Sequence, residues 1–485
     1  MTGSDKTATP VPPTAFGSHG GRLPRGMEHV ARSSTTDGRF GRMFRSLAPF
    51  APTEAQISAL ADSMGDPAGA SGAPDPAGDN PDIPSGYTYL GQFVDHDITF
   101  DPVSNLDRVN DPDALHTFRT PRFDLDSLYG SGRTVSPHLY DQDDPFKLLV
   151  GRNPDPIHQP VDLPRNQQGR ALVGDPRNDV TVIVGQLHLV FIRFHNAIVD
   201  HLRMQFFPAE ELFDEACRLV RWHYQWVVVH DHLRRVAGSD VLDEVLVVHP
   251  RTGVSEARLR FYTWRNQPFM PVEFSVAAYR YGHSQVRPGY RLNDTIPRAG
   301  EGDTVPIVTD ILVPNPLQHL GGFRALPKDW TIDWKYFFPV DPAHAPQLSR
   351  RIDTRICEPM RHLPVADDEQ RRSIALLNLR RGVALQLPSG QAVAAAMGTA
   401  VPDAKLGLTG ETPLWYYLLK EAEVAAEGRR LGPTGARIVA EVLVGLLKGD
   451  PSSFLRMAPG WKPELPGATA GDFTVVDLLR FAAAG

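Results

Sequence analysis

Between Val180 and Phe206 the chain reads VTVIVGQLHLVFIRFHNAIVDHLRMQF. Helical spacing runs through this segment, and its apolar residues fall on most faces of the helix instead of along one stripe. Such a helix cannot lie on the surface of a body in water, so it has to be central, with other elements packed around it. Helical spacing recurs at 53–64, at 87–98, in EACRLVRWHYQWVVVHDHL from 215, in SIALLNLRRGVAL from 373 and in PTGARIVAEVLVGLLKG from 433. Strand-like alternation is scarce. The connections are rich in the chain's 44 prolines, which favours long irregular loops over further regular elements. The expected fold is mainly α: a single large helical domain with long loops and little β.

Domain organisation follows from composition. Residues 1–40 are rich in Gly, Pro, Ser and Thr without periodicity and read as an irregular N-terminal arm, and residues 41–485 read as the body. GDPAGASGAPDPAGDNPDIPSG, before the second helix, reads as a loop within the body. With 41% hydrophobic and 22% charged residues, the chain has ordinary globular composition. Its net charge is -7, so no global basic field draws nucleic acid or an anionic membrane, and a small-molecule partner is expected.

No segment offers 18 uninterrupted apolar residues, so no membrane span is expected. The N-terminus has no apolar signal-peptide core, which makes the cytoplasm the expected location. Non-classical export, or encapsulation in another protein's shell, fits the same residues. Cys217 and Cys357 are too few for a disulfide framework or a cysteine metal site, in keeping with a reducing compartment.

The segment YLGQFVDHDITFDP, residues 89–102, places Asp95, His96 and Asp97 side by side in a largely apolar helix. Successive side chains on a helix fan out by about 100°. The three therefore cannot converge on one ion or one proton, and each must serve a different partner. Gln92, four residues before His96, shares its face.

Five pieces, GQFVDHDITF, RTPRFDLDSLYG, GDPRND, AAYRYGHSQVRP and LLNLRRG, taken in this order resemble the animal-type haem peroxidase family, which contains myeloperoxidase, lactoperoxidase, peroxinectins and, more distantly, the cyclooxygenases. The likeness runs from about residue 85 to 390. It implies a haem-dependent peroxidase that reduces H2O2 and oxidises small donors such as phenols or halides.

In the family's motif the histidine stands over the distal haem face, the preceding aspartate reaches the porphyrin edge and the following one binds calcium. The resemblance thus assigns His96, Asp95 and Asp97 to three partners. His96 becomes the base that moves a proton between the peroxide oxygens. Arg177 becomes the distal arginine whose fixed charge stabilises the departing oxygen, and Gln92 a hydrogen-bonding partner of distal water or a small anion.

On the other face His283 resembles the proximal iron ligand, and Asn378 the acceptor that holds its second ring nitrogen. Arg280 and Arg381 resemble arginines near the haem. Thr120, the carbonyl of Arg122, Asp124 and Asp126 join Asp97 as hard oxygen donors resembling the family's Ca2+ site. The implied cofactors are haem b and Ca2+.

Departures from the family pattern also matter. Mammalian relatives attach haem by two esters, and myeloperoxidase adds a sulfonium link. Asp95 keeps the first position, but Val180 and Thr181 stand where the other two partners are sought, so at most one ester, through Asp95, is expected. Cyclooxygenases carry a tyrosine three residues before the proximal histidine, where this chain has Arg280; Tyr279 and Tyr281 flank that place and are expected to point elsewhere. This weakens the first alternative, a fatty-acid dioxygenase on the same fold. The second alternative is a non-catalytic peroxinectin-like binding protein displaying Lys448-Gly449-Asp450, a triplet that more simply ends a helix. FYTWRNQPFMP superficially resembles a cyclooxygenase motif but has Arg265 at its histidine place, and is expected to be packing.

Overall fold

The computed structural model describes residues 40–66, 76–99, 121–151, 161–265, 267–297, 302–308, 319–363 and 373–484. The longer α-helices are α1 (Glu54–Ser63), α2 (Gly86–Ile98), α3 (Val182–Met204), α4 (Leu212–Trp226), α5 (Ile374–Ala384), α6 (Gly390–Met397), α7 (Leu414–Ala425), α8 (Pro433–Gly449) and α9 (Val475–Ala484). Helix accounts for 46% and strand for 9%, so the body is mainly α, as the spacing implied. The named strands form two-stranded pairs, of which Asp79–Pro84 against Leu348–Arg350 is the longest.

The central element is α3. Thr181 caps it, its Oγ1 accepting from the Val184 amide at 3.3 Å. By length and composition α3 could cross a membrane, but 89% of its most apolar stretch is buried inside the protein, beneath α2, α4 and α9. Phe191 and Phe194 are fully buried, each contributing about 1.5–3 kcal/mol of transfer free energy. Phe191 stacks on Phe93 of α2 at 4.5 Å between ring centroids, with planes 4° apart. Tyr224 of α4 meets both rings edge-on, at 5.5 and 6.1 Å. This aromatic knot fixes the angle at which α2 leaves the core.

The start of α2 is held by tertiary contacts, since Ser85 makes no side-chain cap. The Gly86 amide donates to the Phe337 carbonyl at 2.9 Å. A Cβ at Gly86 would lie 2.4 Å from the Phe338 ring, so only glycine lets the chain approach this closely. One residue on, the Tyr87 hydroxyl donates to Asp231 at 2.8 Å. Asp231 sits in a π-helical turn, Val227–Leu233, that continues α4. It also accepts from Arg235 at 2.8 Å and from the Val475 amide at 3.0 Å. One buried carboxylate thereby ties together α2, the extension of α4 and the start of α9.

Helical spacing does not reveal α6, α7 and α9. The N-cap positions of α6 and α7 are Ser389 and Pro413, and the aromatic-rich LWYYLLKEAEVA has little polar face to make a helical stripe visible. Phe40 was assigned to the arm, yet it is buried and pairs with Met270 in a parallel bridge; residues 1–39 lie outside the described residues. FYTWRNQPFMP is packing, as expected: the Tyr262 hydroxyl donates to the Phe269 carbonyl at 2.6 Å. Lys448-Gly449-Asp450 ends α8 with Asp450 1% exposed. Asp450 accepts from the Ser452 amide and hydroxyl at 2.9 and 2.8 Å, so the triplet cannot be offered to a partner.

Candidate active site

Helix α2 distributes the three consecutive ionisable residues as the 100° fan requires. Asp95 accepts from Thr99 Oγ1 at 3.2 Å. His96, 6% exposed, places Nδ1 2.8 Å from Asn178 Oδ1. Asp97 is fully buried and turns to Asp124 and Asp126. Gln92, one turn before His96, is half-buried.

The GDPRND segment forms a short 3-10 turn, Pro176–Asp179, with buried Asp175 as its cap, accepting from the Arg177 amide at 2.8 Å. The Arg177 side chain folds back on the same carboxylate at 2.7 Å. Its Nη2 also donates to the His96 carbonyl at 2.9 Å and to the Thr99 carbonyl. Arg177 therefore lies beside His96 and clamps the C-terminal end of α2, where a cation also meets the favourable end of the helix dipole. Asp179 accepts two bonds from Arg165, at 2.7 and 2.8 Å, which pins the far end of the turn. Val180 follows it, and Thr181 is spent on capping α3, so neither supplies a carboxylate or a thioether.

Asn178, which carries no motif signal of its own, contacts the His96 ring. Its Oδ1 faces His96 and its Nδ2 stands 3.0 Å from Nδ1 of His188 on α3. Asn178 and His188 are 0% and 1% exposed. The available signal was His188 itself, a polar ring inside the apolar run VIVGQLHLVF.

His283 ends a 3-10 turn, Ala278–His283, which follows a π-helical turn, Glu273–Ala277. Burial and the nearby Arg280 hold its pKa down at about 3, so it is a neutral imidazole at any ordinary pH. Asn378 of α5 meets its Nδ1 at 2.7 Å, bringing this pair together as expected. The orientation differs: Asn378 turns its amide nitrogen to the ring, because Arg280 Nη1, which can only donate, takes the amide oxygen at 3.0 Å. Arg280 Nε also donates to the Ser275 carbonyl at 3.0 Å. Arg381 lies one turn beyond Asn378 and is half-buried. The hydroxyls of Tyr281 and Tyr279 turn to His232 Nε2, at 3.2 and 3.4 Å.

The residues around this region fit a haem. Asp95 and His283 lie deep enough that desolvation dominates the ionisation of each, raising the carboxyl and lowering the imidazole, yet both keep accessible surface. They also share a charged neighbour, since Arg177 and then Arg280 oppose the rise at Asp95. A Cβ added at Gly282, beside His283, would meet nothing within 4 Å. A neutral imidazole at His283, a carboxyl at Asp95 and the cations Arg280 and Arg381 are residue types that suit an iron porphyrin with two acidic side arms.

The second constellation consists of carboxylates. One ligand oxygen each from Asp97, Asp124 and Asp126 lies within 4.8 Å of the other two. Leu125 between the latter pair has φ 55°, and the Asp126 amide donates to Asp124 Oδ1 at 3.2 Å. Arg221 of α4 fastens this loop through the Asp124 carbonyl at 2.7 Å. Three carboxylates this close, one fully buried, repel one another strongly without a cation between them, and an all-oxygen set suits Ca2+. Arg122 has a half-buried side chain that lines a surface groove of about 540 Å³ with Trp264 and Lys448. Thr120 lies outside the described residues.

The structure resembles peroxidase A from Dictyostelium discoideum, with a TM-score of 0.56 at 14% identity over 87% of this chain and 88% of that one. It also resembles a fatty acid alpha-dioxygenase from Arabidopsis thaliana, with a TM-score of 0.55 at 14% identity over 85% and 74%.

The family model described as animal haem peroxidase matches residues 112–328. A peroxidase-like protein of Margaritifera margaritifera is 35% identical over 160 residues, 33% of this chain and 18% of that protein. Thyroid peroxidase of Sus scrofa is 24% identical over 306 residues, 58% of this chain and 30% of that protein. The chain thus matches less than a third of the length of these two relatives.

Proposed function

We propose that the chain is a haem peroxidase that reduces H2O2 and takes electrons from small donors, phenols or halides. Bound haem b would supply redox-active iron chemistry. His283 is the residue to hold that iron, Arg280 and Arg381 those to meet the acidic side arms, and Asp95 the one carboxyl offered for an ester link.

His96, its ring held through Nδ1, is placed to take a proton at Nε2 from one peroxide oxygen and pass it to the other, while bound haem would supply the two electrons that the O–O cleavage needs. Arg177 keeps a fixed positive charge beside His96, where charge develops on the departing oxygen. Gln92, on the face shared with His96, orients peroxide or water. Asp97, Asp124 and Asp126, with Thr120 and the Arg122 carbonyl as further donors, would hold Ca2+ and so brace the end of α2 that carries His96.

The observation that carries this reading is a neutral His283 held by Asn378 at 2.7 Å, with Arg280, whose charge also acts on Asp95, bound to the same amide. The fatty acid dioxygenases share the fold, but here Arg280 stands where the cyclooxygenases have their tyrosine, and both adjacent tyrosines turn to His232.

The test is the absorption spectrum of purified, haem-loaded protein before and after one equivalent of H2O2, beside His96→Ala. A rapid Soret shift in wild type that slows by roughly 100-fold or more in the variant is expected for loss of a general base. Haem that ignores peroxide equally in both proteins would overturn the assignment, and oxygen uptake driven by a fatty acid without peroxide consumption would move it to the dioxygenase.

A further inference from the structure

We propose that Asn178 and His188 together form a tautomer lock on His96, which makes them positioning residues for the proton transfer. The inference rests on the peroxidase reading for its purpose, while its geometry stands independently. Neutral imidazole carries one proton, and only the nitrogen without it can act as a base. His96 Nδ1 lies 2.8 Å from Asn178 Oδ1, an atom that only accepts, so the ring proton belongs on Nδ1 and the basic lone pair on Nε2.

An amide alone cannot enforce that choice. Rotated by a half-turn, Asn178 would present its NH2 group to His96, fix the proton on Nε2 and abolish the base. With its own proton on Nε2, His188 opposes this rotation. Its Nδ1 lies 3.0 Å from Asn178 Nδ2 and accepts from it, so turning the amide would leave two lone pairs facing each other at His188 and strand the amide hydrogens.

The chain of donors therefore has a direction, His96 to Asn178 to His188, and all three rings or amides are buried, where a mismatched pair finds no water to satisfy it. The two ends sit on different helices, α2 and α3. Phe93, three residues before His96, packs edge-on against His188, with ring centroids 6.0 Å apart, so the lock is seated in the same aromatic knot that sets the pose of α2.

The first measurement is the ring 15N spectrum of full-length, histidine-labelled, haem-free protein, with the His96 signals assigned among the 17 histidines by difference from His96→Gln. Wild type should show a single tautomer with the proton on Nδ1, and Asn178→Leu and His188→Leu should show exchange between tautomers. A wild-type His96 protonated on Nε2, or a spectrum unchanged in both variants, would overturn the lock whatever the protein does with haem.

The second measurement is the rate at which haem-loaded protein binds cyanide, which enters as HCN and must give its proton to a distal base. The rate should fall roughly tenfold or more in Asn178→Leu and recover in Asn178→Asp, which restores an acceptor for Nδ1. A loss that Asn178→Asp does not recover would mark Asn178 as merely structural. If the protein takes up no haem, the peroxidase reading fails while the tautomer result still decides the lock.

Discussion

The amide nitrogen of Asn378 stands 2.7 Å from Nδ1 of His283. A histidine that binds iron through Nε2 needs its proton on Nδ1 and an acceptor facing it, so iron ligation by His283 requires Asn378 to rotate and release Arg280. Asn378→Asp supplies an acceptor in either rotation and adds negative charge behind the ring. The expected outcome is an Fe(III)/Fe(II) potential lower by on the order of 100 mV in the variant, measured by spectroelectrochemistry of the haem-loaded protein. An unchanged potential would show that Asn378 does not face the iron ligand.

Calcium should act on stability before it acts on catalysis. If Asp97, Asp124 and Asp126 hold Ca2+, saturating the ion at about 100 times its Kd adds about 2.7 kcal/mol to the folded state. Chelation should lower the Tm of wild type and leave Asp97→Asn, already lowered, nearly unmoved. Equal responses to chelator in the two proteins would place the ion elsewhere.

The contact between Phe93 and Phe191 sets a third expectation. Phe93→Ala removes a fully buried ring from a stacked pair and should cost roughly 3–5 kcal/mol, read from the denaturant midpoint at constant slope. Phe206→Ala is the control. That ring is 94% exposed, and its loss should change stability by no more than about 0.5 kcal/mol.

Asp353 gives a pH dependence. Burial is the main cause that pushes its carboxyl up to about 7, opposed by the Arg355 amide and reinforced by Glu423. In the unfolded chain the same group titrates near 4. Between about pH 4 and pH 7 the folded state therefore binds more protons than the unfolded one, so this group's contribution to stability falls as pH rises through that window and is flat above it. Asp353→Asn, which has no proton to lose, should gain roughly 1–3 kcal/mol on wild type in going from pH 5 to pH 8. Parallel curves for the two proteins over that range would show that Asp353 ionises as an ordinary surface carboxyl.

Much of this was legible because it depends on periodicity. The all-round apolar pattern of 180–206 placed α3 at the centre, and the 100° fan separated Asp95, His96 and Asp97 before any partner was known. Asn178 was not legible: it lies in a 3-10 turn with no repeating pattern, and its role depends on two histidines at separations of 82 and 10 residues. The orientation of Asn378 was hidden for a related reason, since it is decided by competition between Arg280 and His283 for one amide. Pairwise motifs do not encode which of two partners wins.

The helix that makes the core also makes the chain hazardous while it is being synthesised. α3 has the length and hydropathy of a membrane-crossing segment, and the helix that covers much of it, α9, ends only at residue 484. A ribosome adding about 5–20 residues per second must therefore leave this apolar helix without α9 for tens of seconds. Overproduction will be limited by chaperone supply, and truncation at the C-terminus will register as insolubility long before it registers as lost chemistry.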